Sequence, residues 1–124
     1  MILGFKEQFE GRIKNGSKIH TIREDKHNRW KPGMTIHFAK GVRTKNYKQF
    51  HQGQCVSVQS IKIKYTDIKP FEKTIIVLID NRILSLNEIS TLAVKDGFKS
   101  VFDFYDWFNK DFKGKIIHWT NLRY

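Results

Sequence analysis

Apolar positions recur along this chain with two periods, and the switches between them mark out its elements. Residues 1–5 form a short apolar run that reads as a strand. Phe5, Phe9 and Ile13 then recur every four residues, which predicts a helix over 6–15 with these three on one face. Asn15-Gly16 ends it, since both residue types tolerate the left-handed conformation of a C-terminal cap. Residues 19–24 alternate as a strand does, and a polar loop over 24–33 closes at the turn Lys31-Pro32-Gly33. Met34 to Ala39 predicts a strand with Met34, Ile36 and Phe38 on one face. Residues 40–53 read as an exposed, basic and aromatic loop.

From Gln54 to Tyr65 the alternation Val56, Val58 changes parity to Ile61, Ile63, which predicts a bulge at Gln59-Ser60. Lys73 to Asp80 is a further strand, and Asp80-Asn81 turns the chain into a short segment at 82–84. Ser85-Leu86-Asn87-Glu88 is a capping box, and Ser100-Val101-Phe102-Asp103 repeats the pattern with a shorter acid. Two helices follow these starts, separated at Gly97. Val101, Phe104, Tyr105, Phe108 and Phe112 form an aromatic face at helical spacing, read as core. Lys115 to Tyr124 has the composition of a closing strand. Strands in the middle with helices not interleaved predict an α+β fold, a small mostly antiparallel sheet curled into a barrel with flanking helices, in one domain over 1–124.

Composition sharpens this picture through charge. The 124 residues carry 23 Lys and Arg against 12 Asp and Glu, a net charge of +11. Residues 1–64 hold 14 basic and 4 acidic residues, and no carboxylate lies between Lys26 and Thr66. Such a field suits a polyanion, and RNA is the expected partner. No basic amphipathic helix and no long apolar run is present, so no membrane partner is expected. From the single cysteine, Cys55, and the absence of a visible secretory pattern, a cytoplasmic protein is expected. A monomer is expected.

Candidate chemistry is narrow. Five histidines and one cysteine show no metal-ligand spacing, and there is no glycine-rich phosphate loop, so no metal and no cofactor are expected. Trp30, Tyr47 and Phe50 lie in basic loops beside Arg29, Lys31, Lys45 and Lys48, an interleaving in which rings stack bases and cations follow phosphates. The competing reading has Trp30 plugging the end of a barrel. The stretch Gly16-Ser17-Lys18-Ile19-His20-Thr21-Ile22-Arg23 gathers a turn glycine, an amine, an imidazole, a hydroxyl and a guanidinium. A threonine becomes a nucleophile when a base takes its proton, and a lysine serves as that base when burial or cations lower its pKa. Asp96, before Gly97, is the candidate acid for a leaving amine.

Gly16-x-Lys18-x-x-x-x-Arg23, a Lys31-Pro32-Gly33 turn leading into a strand, and Asp96-Gly97-Phe98 before a helix together resemble the ASCH domain, of the PUA-like β-barrel superfamily. The resemblance spans nearly the whole chain and implies a five- or six-stranded barrel with an RNA-binding cleft beside the signature. One branch that the chain resembles removes the acetyl group from N4-acetylcytidine. By that likeness Lys18 is the proton acceptor, Thr21 the nucleophile and Asp96 the proton donor. The branch has glutamate where this chain has Asp96, one carbon–carbon bond shorter, about 1.5 Å.

Three readings result: an RNA- or modified-nucleoside-binding module using Gly16, His20, Arg23, Arg29, Trp30, Lys31, Arg43, Lys45 and Tyr47; an amidohydrolase of N4-acylated cytosine nucleosides using Lys18, Thr21 and Asp96; and a metal-independent ribonuclease using His20, Lys18 and Arg23. In a regular strand Lys18 and Thr21, three apart, point to opposite faces. For the two to meet, the backbone must still be turning at Lys18 as it leaves Gly16.

Overall fold

The computed structural model describes residues 1–69 and 72–124, with side chains for 1–66 and 74–124. The described residues form an α+β fold of eight strands in two sheets and three α-helices. In chain order these are β1 (Ile2–Gly4), a 3-10 turn (Glu7–Phe9), α1 (Glu10–Lys14), β2 (His20–Arg23), β3 (Thr35–Lys40), β4 (Lys48–Gln54), β5 (Ser57–Lys69), β6 (Glu72–Ile79), β7 (Arg82–Ile83), α2 (Leu86–Lys95), α3 (Val101–Trp107) and β8 (Phe112–His118). One sheet has the order β1-β3-β4 and the other β2-β8-β5-β6-β7. The β1–β3 pair is parallel and the other described pairs are antiparallel. The sheets do not close into a barrel. They are stitched where the Gly33 amide donates to the Cys55 carbonyl and the Val56 amide to the His118 carbonyl. No described helix is long and apolar enough to cross a membrane.

Burial follows the sequence pattern in most elements. Phe5, Phe9 and Ile13 all enter the core, although a 3-10 turn and one short α-helix replace the continuous helix expected over 6–15. Ile36 and Phe38 are fully buried on β3, as is Phe104 on α3, and Phe108 beside it is buried. The Ser85–Glu88 capping box forms in both directions, each partner satisfying an orphan amide. Ser100 starts α3 without a side-chain cap. Asp80 and Asn81 both take positive φ, 49° and 66°, as a tight hairpin turn requires.

Two further expectations are corrected. The loop expected over 40–53 is a loop only to residue 47; Lys48–Gln54 is an edge strand on β3. Its polar residues lie mostly exposed on both faces, which left no alternation to read. The bulge expected at Gln59-Ser60 does not occur, because β5 pairs with β8 in unbroken register from Ser57 to Ile63. Cys55, Ser57, Gln59, Ile61 and Ile63 are all buried, so the inward parity is constant along the segment. The apparent switch arose because Ser57 and Gln59, two polar residues, face inward.

Gly97 joins α2 to the stretch before α3 with φ +98°, where only glycine is unstrained. A Cβ there would meet Lys18 Cδ at 2.9 Å and Phe9 Cδ1 at 3.0 Å. Strain and overlap together set the expected outcome for Gly97→Ala: a loss of about 2 kcal/mol in urea-denaturation stability. A change below a few tenths would contradict this account of the turn.

Candidate functional site

Lys18 precedes the sheet. Pairing of β2 with β8 begins at His20, opposite His118. Before that point the backbone is held by helices: the Lys18 amide donates to the Arg12 carbonyl at the end of α1, and the Ile19 amide to the Lys95 carbonyl at the end of α2. Gly16, at φ +81°, permits the preceding reversal. The chain is still turning at Lys18, so the lysine is not committed to the strand alternation. Its side chain enters the same cavity that Thr21 and Arg23 reach from the strand.

This cavity has a volume of about 440 Å³ and is lined by Lys18, Thr21, Arg23 and Asp96 with Phe5, Phe9, Phe98, Trp107 and Val42 among its walls. The Lys18 side chain is 2% exposed. Its Nζ donates to the Asp96 main-chain carbonyl at 2.5 Å and lies 3.5 Å from Asp96 Oδ1. The ammonium also sits 4.9 Å from the Phe9 ring centroid, a favourable cation–π distance. Burial pushes the Lys18 pKa down, Asp96 pulls it back up and Arg23 lowers it again, leaving it at about 8.

Arg23 spans the cavity edge. Its Nη2 donates to the Gly4 carbonyl at 2.6 Å and its Nε to Thr21 Oγ1 at 3.2 Å, with the guanidinium 4.8 Å from the Phe5 ring. Thr21 therefore presents an oxygen already hydrogen-bonded to a cation. That arrangement stabilises negative charge on the threonine oxygen.

Behind the cavity a buried polar network fixes the acid. Asp96 Oδ1 accepts from His20 Nδ1 at 2.8 Å, which puts the proton of a neutral imidazole on Nδ1. His20 Nε2 then accepts from the Tyr124 hydroxyl at 2.6 Å. Burial, with Asp96 nearby, raises the Tyr124 pKa and keeps that hydroxyl a donor. Gln59 uses all its amide capacity: Oε1 accepts from His118 Nε2 and the Tyr124 amide, and Nε2 donates to Asp80 and the Tyr124 carbonyl. Burial and the neighbouring His20 push the His118 pKa down to about 4, so this ring stays neutral near pH 7. Two buried polar atoms among the described residues have no partner, Ser57 Oγ and His118 Nδ1, and they belong to register partners on β5 and β8.

The structure brings together Lys18, Thr21, Arg23 and Asp96 and separates them from the other sequence candidates. His20 is completely buried and spends both ring nitrogens inside the protein, so it presents no imidazole to the cavity. Trp30 is 7% exposed and belongs to the core, where the Asp25 carboxylate accepts from its backbone amide; it offers no face for stacking. Arg29 and Lys31 flank it, exposed. Arg43, Lys45 and Tyr47 are exposed on the loop whose Gly41 and Val42 form one edge of the cavity. Gly16 shapes the entry of Lys18 without lining the cavity. Tyr124, Gln59 and Trp107 are additions that local patterning did not single out. The inward parity of Gln59 was the one available signal, and it was masked as an apparent bulge. Among the described residues no group of His, Cys, Asp and Glu is placed to hold a metal ion.

The chain matches no family model, no curated protein and no solved structure.

Lys18 titrates near pH 8 in the folded protein and near its ordinary 10.5 when unfolded. The unfolded chain therefore binds more protons between these values, and this group makes stability rise as pH climbs from 8 to 10.5. In NMR titration of the lysine side chains, Arg23→Gln is expected to raise the Lys18 pKa and Asp96→Asn to lower it. An unshifted Lys18 titrating near 10.5 would contradict the arrangement.

Proposed function

We propose that this chain is an ASCH-type domain of PUA-like fold whose cavity takes a single base of an RNA or of a modified nucleoside in a reducing, cytoplasmic setting. The observation that carries this reading is the convergence of Lys18, Thr21, Arg23 and Asp96 on an aromatic-walled cavity of about 440 Å³. Rings of Phe5, Phe98 and Trp107 suit the faces of a planar heterocycle, and a few converging polar groups suit its edge. The volume falls within the ordinary range for small-molecule sites, about 300–1,000 Å³.

A second reading, hydrolysis of an N4-acylated cytosine nucleoside, is favoured by two specific features: the Arg23 hydrogen bond to Thr21 Oγ1 and the Lys18 amine held near pKa 8. In this reaction Thr21 Oγ1 attacks the acyl carbonyl and its proton passes to neutral Lys18. Lys18 and Asp96 share that proton and return it to the departing cytosine amine. Water then cleaves the threonyl ester, giving the carboxylic acid and regenerating Thr21. His20 and Tyr124 hold the Asp96 carboxylate in place while the proton moves. The Asp96 main-chain carbonyl and carboxylate both face the Lys18 amine.

Titration with cytidine and with N4-acetylcytidine, followed by Trp fluorescence, tests the binding reading. Saturable quenching is expected, weakened at least tenfold by Arg23→Ala. Chromatography of the same mixtures tests hydrolysis. Cytidine released above a Thr21→Ala control, at a rate that rises with pH towards a plateau above 8 as Lys18 loses its proton, supports the second reading. Binding without release supports the first alone, and the absence of both overturns the assignment of this cavity.

A further inference from the structure

A second group of cations in this fold makes no ion pair among the described residues. In the β5–β8 pair, Lys62 lies directly opposite Lys113, and Lys115 lies opposite Ser60. Strand alternation puts Lys62 and Lys64 of β5 and Lys113 and Lys115 of β8 on the sheet side opposite to buried Ile61, Ile63, Gly114 and Ile116. Like charges directly opposite one another across a sheet destabilise it. Among the described residues Lys62, Lys64 and Lys113 make no ion pair, and the one side-chain bond of Lys115 goes to Ser60 Oγ at 3.2 Å.

Lys62, Lys113 and Lys115 border a depression of about 710 Å³, larger than the first cavity and sharing no lining residue with it. Carboxylates also border it, but the scaffold occupies them. Both Asp25 oxygens accept backbone amides, from Arg29 and Trp30. Asp80 accepts from the Ser60 amide and from Gln59, and Glu24 pairs with Lys26. In the adjoining depression along Lys62, Lys64 and Lys113, the Asp111 carboxylate accepts the Tyr65 amide. The lysine row is left for a partner from outside.

We propose that this face is a second, separate docking surface, and that its occupant is the phosphate backbone of a nucleic acid. Same-face lysines repeat about every 7 Å along each of two neighbouring strands. A regular row of this kind suits the evenly spaced charges of a polynucleotide. Neutralising phosphates there removes a repulsion that the protein itself leaves unbalanced. The two sites share no lining residue, although Lys115 lies opposite Arg23 in the β2–β8 register.

The test is fluorescence anisotropy with a labelled 20-nucleotide single-stranded RNA between 50 and 300 mM salt. The double variant Lys62→Gln/Lys113→Gln is expected to bind about tenfold more weakly at 100 mM salt. Its slope of log affinity against log salt is expected to be smaller by about two, one for each lost phosphate contact. Its melting temperature at low salt is expected to equal or exceed that of the unaltered protein, because the repulsion is gone. Cytidine quenching in the first cavity is expected to be unchanged. If the double variant fails to fold, Lys113→Gln alone, at an exposed position, is expected to reduce the slope by about one. RNA affinity and slope unchanged in a folded variant would overturn the proposal. So would a polyglutamate probe of equal charge binding as tightly as the RNA, which would mark the face as one for acidic proteins. Failure of cytidine to bind the unaltered protein would count against the first cavity and leave this surface standing.

Discussion

An ammonium group removed from water costs several kcal/mol unless hydrogen bonds and opposite charge replace its hydration. Lys18 is placed under that constraint, and the surrounding structure supplies the replacement. Asp96 provides a carbonyl at 2.5 Å and a carboxylate oxygen at 3.5 Å. The rings of Phe9 and Phe5 provide their faces at 4.9 and 5.7 Å. Asp96 is in turn held by His20, and His20 by Tyr124, which is anchored on both main-chain groups by Gln59. The dependence runs from the cavity through the sheet to the far side of β5. Gly97 belongs to the same constraint, because any side chain there would occupy the space of the Lys18 methylenes.

Much of the fold was legible in the sequence where a single period ruled an element. The Phe5, Phe9, Ile13 series, the β3 alternation, the Ser85 capping box and the Asp80-Asn81 turn all rest on local geometry that neighbouring residues dictate. The failures on β4 and β5 share one cause. On β4 and on the first half of β5, the side chains facing the protein are polar or only half-buried, so hydrophobicity did not report which way they point. The bulge expected at Gln59-Ser60 was the imprint of a buried polar network. Which residues converge at the site was only partly legible. Lys18, Thr21, Arg23 and Asp96 were named from their chemistry, but their meeting depends on backbone bonds from Lys18 to Arg12 and from Ile19 to Lys95, which no local pattern encodes. Trp30 and His20 have the chemistry of ligand-binding residues and the burial of structural ones.

The basic character of the chain divides into two physical situations. At the first cavity the cations are buried and answered: Lys18 by Asp96, Arg23 by the Gly4 carbonyl and the Thr21 hydroxyl. Burial there tunes the amine towards neutrality near pH 8, which makes it sensitive to small changes in its surroundings. On the β5–β8 face the cations are more open to solvent and aligned with one another. Water screens them, and their consequence is a field. The first arrangement suits recognition of one chemical group, and the second suits a partner with many charges.

A double-mutant cycle on Lys18→Met and Asp96→Asn, measured by urea denaturation at pH 7, tests the central claim most directly. If the pair organises the site, each single change leaves a buried group without its partner and destabilises by about 3 kcal/mol or more. The double variant then loses less than the sum of the two by at least about 1 kcal/mol. Additivity within about 0.5 kcal/mol would show that Lys18 and Asp96 do not depend on each other, and would contradict the account.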